Sequence, residues 1–286
     1  MNNTHLIDKS YSPEKRFSHF VSILINLNGF SFSVFDISMK NFVEYKSIKI
    51  ESSSEKSIEF CNKFLGLLKT EFESGEHYTQ IACIIESPKA TIVPEVLFIK
   101  DRFHEYFQFN QDLNNTESVY FDSLKNSENE NIFSFPTCLI KNTQEFFPNI
   151  KIFHQSSIFI EEIFLRNKKK LINTKCFVLA NHDYFEILVI SPSKILLHNT
   201  FHYSGASDFT YFVLNIYEQL RLSPEIHPIE LYGSIEKNSD IYFSLKKYIK
   251  TIEFANCNNE FIISQDLINL HPHNLLNHYF LFKCAS

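Results

Sequence analysis

KCFVLANHDYFEILVISPSKILLHNTF, residues 175–201, is the stretch that decides the fold. Residues 176–180 (CFVLA) are a continuous apolar run, the mark of a strand buried on both faces. Asn181-His182-Asp183 supplies turn residues. Residues 184–190 return as a second strand, Ser191-Pro192-Ser193 turns the chain again, and residues 194–201 make a third. Ser207 is placed to cap a helix, and Phe209, Phe212, Val213, Ile216 and Leu220 then recur at i, i+3, i+4, i+7 and i+11, one face of that helix. Residues 228–232 read as a strand and Gly233 as a break. Ile241, Leu245, Tyr248 and Ile249 stripe a further helix. The order is β-β-β-α-β-α.

The same order lies earlier in the chain. Residues 20–26 (FVSILIN) form a β-branched strand, and Asn28-Gly29 is a hairpin signal because both residues tolerate positive φ. Residues 30–37 and 42–50 supply the second and third strands. Ser53 or Ser54 caps a helix carrying Phe60, Cys61, Phe64, Leu67 and Leu68. Residues 79–86 (TQIACIIE) are a buried strand, and a helix follows over 96–109. The two copies share element order and no visible identity. In each, the fourth strand is reached through a helical crossover, which makes it parallel to its neighbour. Between the copies lie a strand near 119–124, a polar loop, a strand near 132–139 and a helix over 156–168. The chain thus divides into an N-terminal extension (1–18), a first subdomain (19–111), an insertion and connecting segment (112–172), and a second subdomain (173–286) whose C-terminal helix covers 275–282. The fold class is α/β, a duplicated two-lobed βββαβα.

Composition narrows the function. Apolar residues make up 44% of 286, enough for a full core and too many for a disordered chain. The net charge is -6, and the one basic cluster, Lys168-Lys169-Lys170, ends a helix, where cations suit the dipole. Neither observation supports a nucleic-acid-binding face. The N-terminal stretch is polar and lacks the apolar core of a signal peptide, and no run approaches the roughly 18–20 apolar residues of a membrane span. This points to the cytoplasm. The six cysteines are scattered, with no CxxC pair, and read as reduced, mostly buried thiols. His271-Pro272-His273 with His278 and Cys284 has metal-like spacing, but a histidine turn beside a packed helix accounts for it, and no metal is expected. His182-Asp183, His202 with Ser204, and Glu161-Glu162 lack the geometry of catalytic pairs, so no catalytic residue is assigned. Phe (31) and Tyr (13) are abundant, clustering at Phe103, Tyr106, Phe107 and Phe109 and again at Tyr279, Phe280 and Phe282, and exposed clusters of this kind mark protein-binding surfaces.

A duplicated β-β-β-α-β-α unit resembles the actin, Hsp70 and sugar-kinase ATPase superfamily, a ribonuclease H-like architecture. FVSILINLNGFSFSVFD, TIVPEVLF, FPNIKIFHQSSIFIEEIF, KCFVLANHDYFEILVIS, LLHNTFHYSGASDFTYFVL and IHPIELYGS, in that order, are similar to the DUF3822 family of Bacteroidetes, and more distantly to pilus-assembly ATPases of the PilM type. The resemblance implies a cleft between the lobes where superfamily enzymes hold ATP. Each first hairpin there presents an Asp-x-Gly turn: the Gly admits a phosphate and the Asp helps hold Mg²⁺. Here the first turn is Leu27-Asn28-Gly29, with Leu27 in the Asp position. The second is Asn181-His182-Asp183, with Asp183 in the Gly position. The exit of the third strand reads Ser204-Gly205, and the adenosine motif has shrunk to Tyr232-Gly233-Ser234. Asn28, Gly29, Asn181, Asp183, Gly205, Gly233 and Ser234 are the expected cleft residues.

The reading is a non-catalytic binding or scaffold protein, a pseudo-ATPase with no required cofactor. Its partner is another protein or a second copy of itself, bound through residues 103–109 and the insertion. The alternatives are a PilM-type nucleotide-binding protein that keeps ATP in a modified cleft, and an unrelated small-molecule enzyme that reuses the cleft.

Overall fold

The computed structural model describes residues 3–50, 58–72, 78, 80–168, 170–192, 194–255, 261–267, 270 and 272–285. Ser53, Ser54, Thr79, Lys169, Ser193, Cys257, His271 and the side chain of His273 lie outside that description.

In chain order the elements are β1 (Thr4–Ile7), β2 (His19–Asn26), β3 (Gly29–Asp36), β4 (Asn41–Lys49), α1 (Ile58–Phe72), β5 (Gln80–Ile85), β6 (Ala90–Pro94), α2 (Phe103–Asn110), β7 (Glu117–Leu124), β8 (Asn129–Pro136), α3 (Thr137–Phe146), β9 (Lys151–His154) and α4 (Gln155–Asn167). They continue with β10 (Lys175–Ala180), β11 (Tyr184–Ile190), β12 (Ile195–His202), α5 (Ala206–Gln219), β13 (Ile229–Gly233), α6 (Asp240–Lys246), β14 (Ile252–Phe254), β15 (Ile262–Ile263) and α7 (Pro272–Ala285).

The first sheet has the order β1-β4-β3-β2-β5-β9, with β15 beside β4; the second runs β12-β11-β10-β13-β14. Stripped of β1 and β15, both read third-second-first-fourth-fifth. The strands carrying Phe20 and Cys176 hold the same central place. Each pairs antiparallel with its hairpin partner and parallel with the fourth strand of its sheet. A third sheet, β6-β8-β7, is inserted after β5.

Period-2 alternation sorts the cores. Val21, Ile23 and Ile25 of β2 face outward to Phe60, Phe64 and Leu68 of α1 and Leu139 of α3. Cys176, Val178 and Ala180 of β10 face Phe209, Val213 and Ile216 of α5. The opposite faces, with Leu24 and Ile84 from one sheet and Phe177 and Leu179 from the other, meet in a shared core with Ile158, Phe159 and Ile163 of α4 and Leu276 and Phe280 of α7. α7 lies on β2 and β5 and touches β13, while α4 touches β9 and β11. Each closing helix therefore spans both lobes. Each fully buried Phe or Leu of this core stabilises by roughly 1.5–3 kcal/mol.

Several elements differ from the sequence reading. The N-terminal extension contributes β1, which adds to the edge at β4; four residues alternating between half-buried and exposed leave no periodic signal. Residues 96–109 are not one helix but 3-10 turns at Glu95–Leu97 and Lys100–Arg102 followed by α2. The strand expected to run to residue 139 stops at Pro136, and α3 begins at Thr137, burying Leu139, Ile140 and Thr143. β9 and α4, read as insertion, complete the first sheet and the shared core. Gly205 rather than Ser207 is the residue that precedes α5. The fifth strands β9 and β14 have four and three residues, too short for a sequence pattern.

One cysteine expectation is overturned. Cys61 on α1 and Cys138 on α3 are joined in a disulfide, with Cα atoms 6.1 Å apart and a sequence separation of 77. The two helices pack side by side on one sheet face, a proximity that linear spacing does not reveal. Cys83 and Cys176 are free and buried, and burial holds both thiols protonated.

Candidate functional site

At the β2–β3 turn the Asn26 side chain accepts from the Asn28 backbone N–H (2.9 Å) and donates to Glu86 Oε2 (3.3 Å). Gly29 has φ +145°, and a Cβ there would stand 2.1 Å from the Ile48 carbonyl oxygen. Gly233, at the end of β13, has φ +82°, and a Cβ would stand 2.1 Å from the Ala180 oxygen. Neither glycine requires a phosphate to explain it: strand pairing demands both. Gly205 is different. Its φ of -178° is ordinary extended backbone, and nothing lies within 4 Å of a Cβ there. Ser234 donates its backbone N–H to the Ala180 oxygen (2.9 Å), and its hydroxyl donates to the Ala180 (3.2 Å) and Asn181 (3.3 Å) oxygens. The shrunken adenosine motif thus ties β13 to β10.

The second turn is held by its backbone. Asn181 N–H donates to the Tyr184 oxygen, Tyr203 N–H to the Asp183 oxygen, and the Tyr203 hydroxyl to the Asn181 oxygen at 2.7 Å. The Asp183 side chain is 68% exposed, with a carboxylate oxygen 4.0 Å from His202 Nδ1. Two further residues of β11, Tyr184 and Glu186, are buried toward the lobe interface. Glu186 is fully buried; it accepts from Gln155 Nε2 (3.1 Å) and His198 Nε2 (3.0 Å). Burial alone would raise its pKa, but the bond and charge of His198, together with His154, hold it below the usual carboxylate value. Glu86, just past β5, goes the other way. Burial lifts it to about 7, and the Glu186 and Asp183 carboxylates add to the lift against the Asn26 bond.

The start of α4 closes the back of this region. His154 caps the helix, its ring accepting from Ser156 N–H at 3.2 Å. Its own backbone N–H and the Ser157 hydroxyl donate to Asp122 of β7 (2.8 and 2.6 Å), and Asn131 of β8 donates to Ser157 Oγ (2.8 Å). These bonds latch the inserted sheet onto the helix that spans the lobes. Burial drives the His154 pKa down to about 4, leaving the ring neutral, and lifts Asp122 to about 6.

The expected cleft residues therefore do not form one constellation. Asn181, Asp183, Gly233 and Ser234 cluster at the ends of β10 and β13. Asn28 and Gly29 reach them through Asn26 and Glu86. Gly205 begins α5, where Ser204 N–H donates to Asp208 (3.1 Å). Glu86, Gln155, Tyr184, Glu186 and His198 were not singled out from sequence. The available signal was Glu186, the one charged residue in YFEILVI. His278 is likewise no exposed ligand. It is buried on α7, with Nδ1 2.8 Å from Ser22 Oγ and Nε2 3.3 Å from Ser31 Oγ. Among the described residues, no three His, Cys, Asp or Glu side chains converge in a metal-binding cluster, and no helix is long and apolar enough to cross a membrane.

Comparison with solved structures shows the fold. A Bacteroides thetaiotaomicron protein with an actin-like ATPase fold and unknown function matches at TM-score 0.75 and 22% identity, covering 96% of this chain and 99% of that one. The PilM–PilN type IV pilus biogenesis complex matches at TM-score 0.55 and 10% identity, covering 93% and 97%. No curated protein matches the chain. The model of a family of proteins of unknown function, DUF3822, matches residues 8–252. On that span and on the duplicated sheets, the chain belongs to the DUF3822 family and has the actin-like ATPase fold.

Proposed function

We propose that this protein is a non-catalytic binding protein, a pseudo-ATPase whose cleft does not turn over nucleotide. The observation that carries the reading is Asp183. A carboxylate stands where the resemblance to the ATPase superfamily puts a phosphate-admitting glycine, and Glu86 and Glu186 lie within electrostatic reach of one another and of it. A triphosphate brought there meets like charge instead of backbone donors. Purified protein with ATP and Mg²⁺ should release phosphate no faster than buffer. Gly29→Val would be an uninformative control, because its side chain collides with the neighbouring strand. Mg²⁺-dependent turnover that is lost in Asn181→Ala would overturn the reading in favour of a PilM-type nucleotide-binding protein.

The ligand we propose is another protein. Phe107 fills the core of the inserted sheet, and Phe103 and Tyr106 are half-buried, but Phe109 is 89% and Val96 92% exposed, with Leu97 and Ile99 exposed nearby in sequence. Loops and insertions on a rigid scaffold are where binding residues concentrate. The PilM relative is itself seen in a complex with PilN. Replacing Val96 and Phe109 by serine should abolish co-purification of the partner from native cells while leaving the melting temperature unchanged. Partner recovery that survives the double variant refutes this surface.

A further inference from the structure

The outer strands of the three sheets are guarded against a further partner, with one exception. β1 and β9 have four residues, β14 has three and β15 two. β6 ends in Pro94, and β7 carries Glu117 and Asp122. Shortness, proline and charge are the ordinary devices that keep sheet edges from pairing. β12 has none of them. It is eight residues long, ILLHNTFH, with no Lys, Arg, Asp, Glu, Gly or Pro. Among the described residues it pairs with β11 alone.

The free side of β12 follows from the bonds it does make. Tyr203 N–H donates to the Asp183 oxygen, and these two residues continue the β11–β12 register. Bonded pairs alternate along an antiparallel ladder. Leu197, Asn199 and Phe201 therefore direct their backbone groups to β11, and His198, Thr200 and His202 direct theirs away. Two observations agree. The His198 side chain is 2% exposed while the residue as a whole is only part-buried, so the solvent it meets lies at its backbone. Thr200 N–H has no strand acceptor and bonds instead to the Asn199 side chain at 2.8 Å. The one irregularity of the β11–β12 ladder falls between Val189 and Ile190, outside this stretch. β6 comes near β12, but among the described residues it makes no backbone bond to it.

We infer that β12 pairs antiparallel with β12 of a second copy of this chain, about a twofold axis at Thr200, and joins their two five-stranded sheets into one. The outward residues are self-complementary in that register. Thr200 opposes the partner's Thr200 and His198 opposes the partner's His202, each pair exchanging both N–H···O bonds. The Asn199 bond to Thr200 N–H is local, and a strand acceptor replaces it. Asn199 then faces the partner's Phe201. In each copy Phe201 is half-buried and stacked on Phe212 of α5, with ring centroids 4.7 Å apart. The strand ends match in charge. Exposed Lys194 precedes β12, and exposed Asp183 and Asp208 flank its other end. Antiparallel pairing sets the Lys194 end of one copy beside the acidic end of the other. A foreign strand would use the same free backbone, but the matching register and ends come with a second copy. β14, at the far edge, is too short to continue the sheet, so the assembly closes at a dimer. The inference does not depend on the surface around Phe109 or on the chemistry of the cleft.

Sedimentation velocity from about 1 μM to about 1 mM, the span of weak to ordinary interfaces, reads the assembly. The parent protein should pass from monomer to dimer. Thr200→Pro removes an outward N–H that no bond to β11 needs, and Asn199→Lys sets a charge at an exposed position of the edge. Each should raise the dimer dissociation constant about tenfold or more, with the far-UV circular dichroism unchanged. Hydrogen exchange should slow at the His198 and His202 amides as concentration rises, which marks strand pairing as the contact. Replacing Val96 and Phe109 by serine should leave the dimer intact, which separates it from the surface proposed above. A parent that stays monomeric throughout, a dimer that survives both edge variants, or a dimer lost with Val96 and Phe109 overturns the inference. A monomer that protects these amides only when an extended peptide is added also overturns it and assigns the edge to a foreign strand.

Discussion

Ser31 and Glu186 occupy the same place in the two sheets. Each is the third residue of the second strand; Ser31 pairs with Leu24 and Glu186 with Leu179, and both leucines face the shared core. Each also meets a helix that spans the lobes. Ser31 meets His278 of α7, which also touches Ser22; Glu186 meets Gln155 of α4. The first site is neutral throughout, since burial drives His278 down to about 4. The second keeps the charge of Glu186, held by hydrogen bonds from His198 and Gln155. Two positions equal in topology therefore carry opposite electrostatics. The fold fixes where a side chain points, and the residue alone decides what it can bind. Nucleotide chemistry does not follow from the actin-like arrangement of strands, and the charged site lies beside the turn that carries Asp183.

The largest expected effect breaks the second site. Glu186→Ala leaves the His198 and Gln155 donors buried without an acceptor, and removing one partner of a buried pair costs about 3–5 kcal/mol. The matched change in the first sheet, Ser31→Ala, removes one neutral bond of 3.3 Å and should cost about 1 kcal/mol. Urea melts of the two variants compare them directly. Equal losses would mean that the charge at Glu186 contributes nothing beyond an ordinary hydrogen bond.

The next comparison separates glycines that resemble one another in sequence. Gly233→Ala places a methyl group on the Ala180 oxygen at positive φ and should cost roughly 3 kcal/mol, from backbone strain and overpacking together. Gly205→Ala meets open space in extended backbone and should change stability by no more than about 0.5 kcal/mol. Thermal melts of both read the difference. A comparable loss at Gly205 would show that it has a contact other than those described.

These glycines show what could be read beforehand. The element order was legible because the eight strands of the two copies, each of five residues or more, and the stripe of α5 carry their period in sequence. The central strands come within one or two residues of the expected bounds, and residues 184–190 match β11 throughout. The fifth strands were not legible, because KIFH and IEF are too short to show alternation and form only when a parallel neighbour is already in place. The Cys61–Cys138 bond and the His278–Ser22–Ser31 contact were hidden for a related reason: both join elements far apart in the chain. At the cleft, the sequence marked both turns as departing from the superfamily pattern. It did not reveal that Gly29 and Gly233 are required by strand pairing, since a glycine looks the same whether a phosphate or a neighbouring carbonyl excludes the side chain.

The smallest expected effect sharpens the electrostatic contrast through pH. His278 has its pKa lowered from 6.5 to about 4 by burial, so the unfolded chain binds more protons than the folded one between those values. Stability from this group is therefore complete above pH 6.5 and falls as the pH drops toward 4. By linkage it should be roughly 2 kcal/mol lower at pH 5 than at pH 7. His154, lowered to about 4 as well, acts in the same direction. Glu86 and Asp122, raised to about 7 and about 6, oppose both, because their folded forms hold protons that the unfolded chain releases. The total slope is therefore shallow, and the difference between proteins is the clean measurement. His278→Gln keeps an amide that can bond a serine and removes the titration. Denaturant melts at pH 7 and pH 5 should show the variant losing about 2 kcal/mol less than the parent over that interval. Glu186 acts elsewhere: its pKa lies below the usual carboxylate value, so its contribution is present above about pH 4.5 and is lost only in more acidic solution. If His278→Gln leaves the slope between pH 5 and 7 unchanged, the ring is protonated in the folded protein, and the neutral character assigned to the first site is wrong.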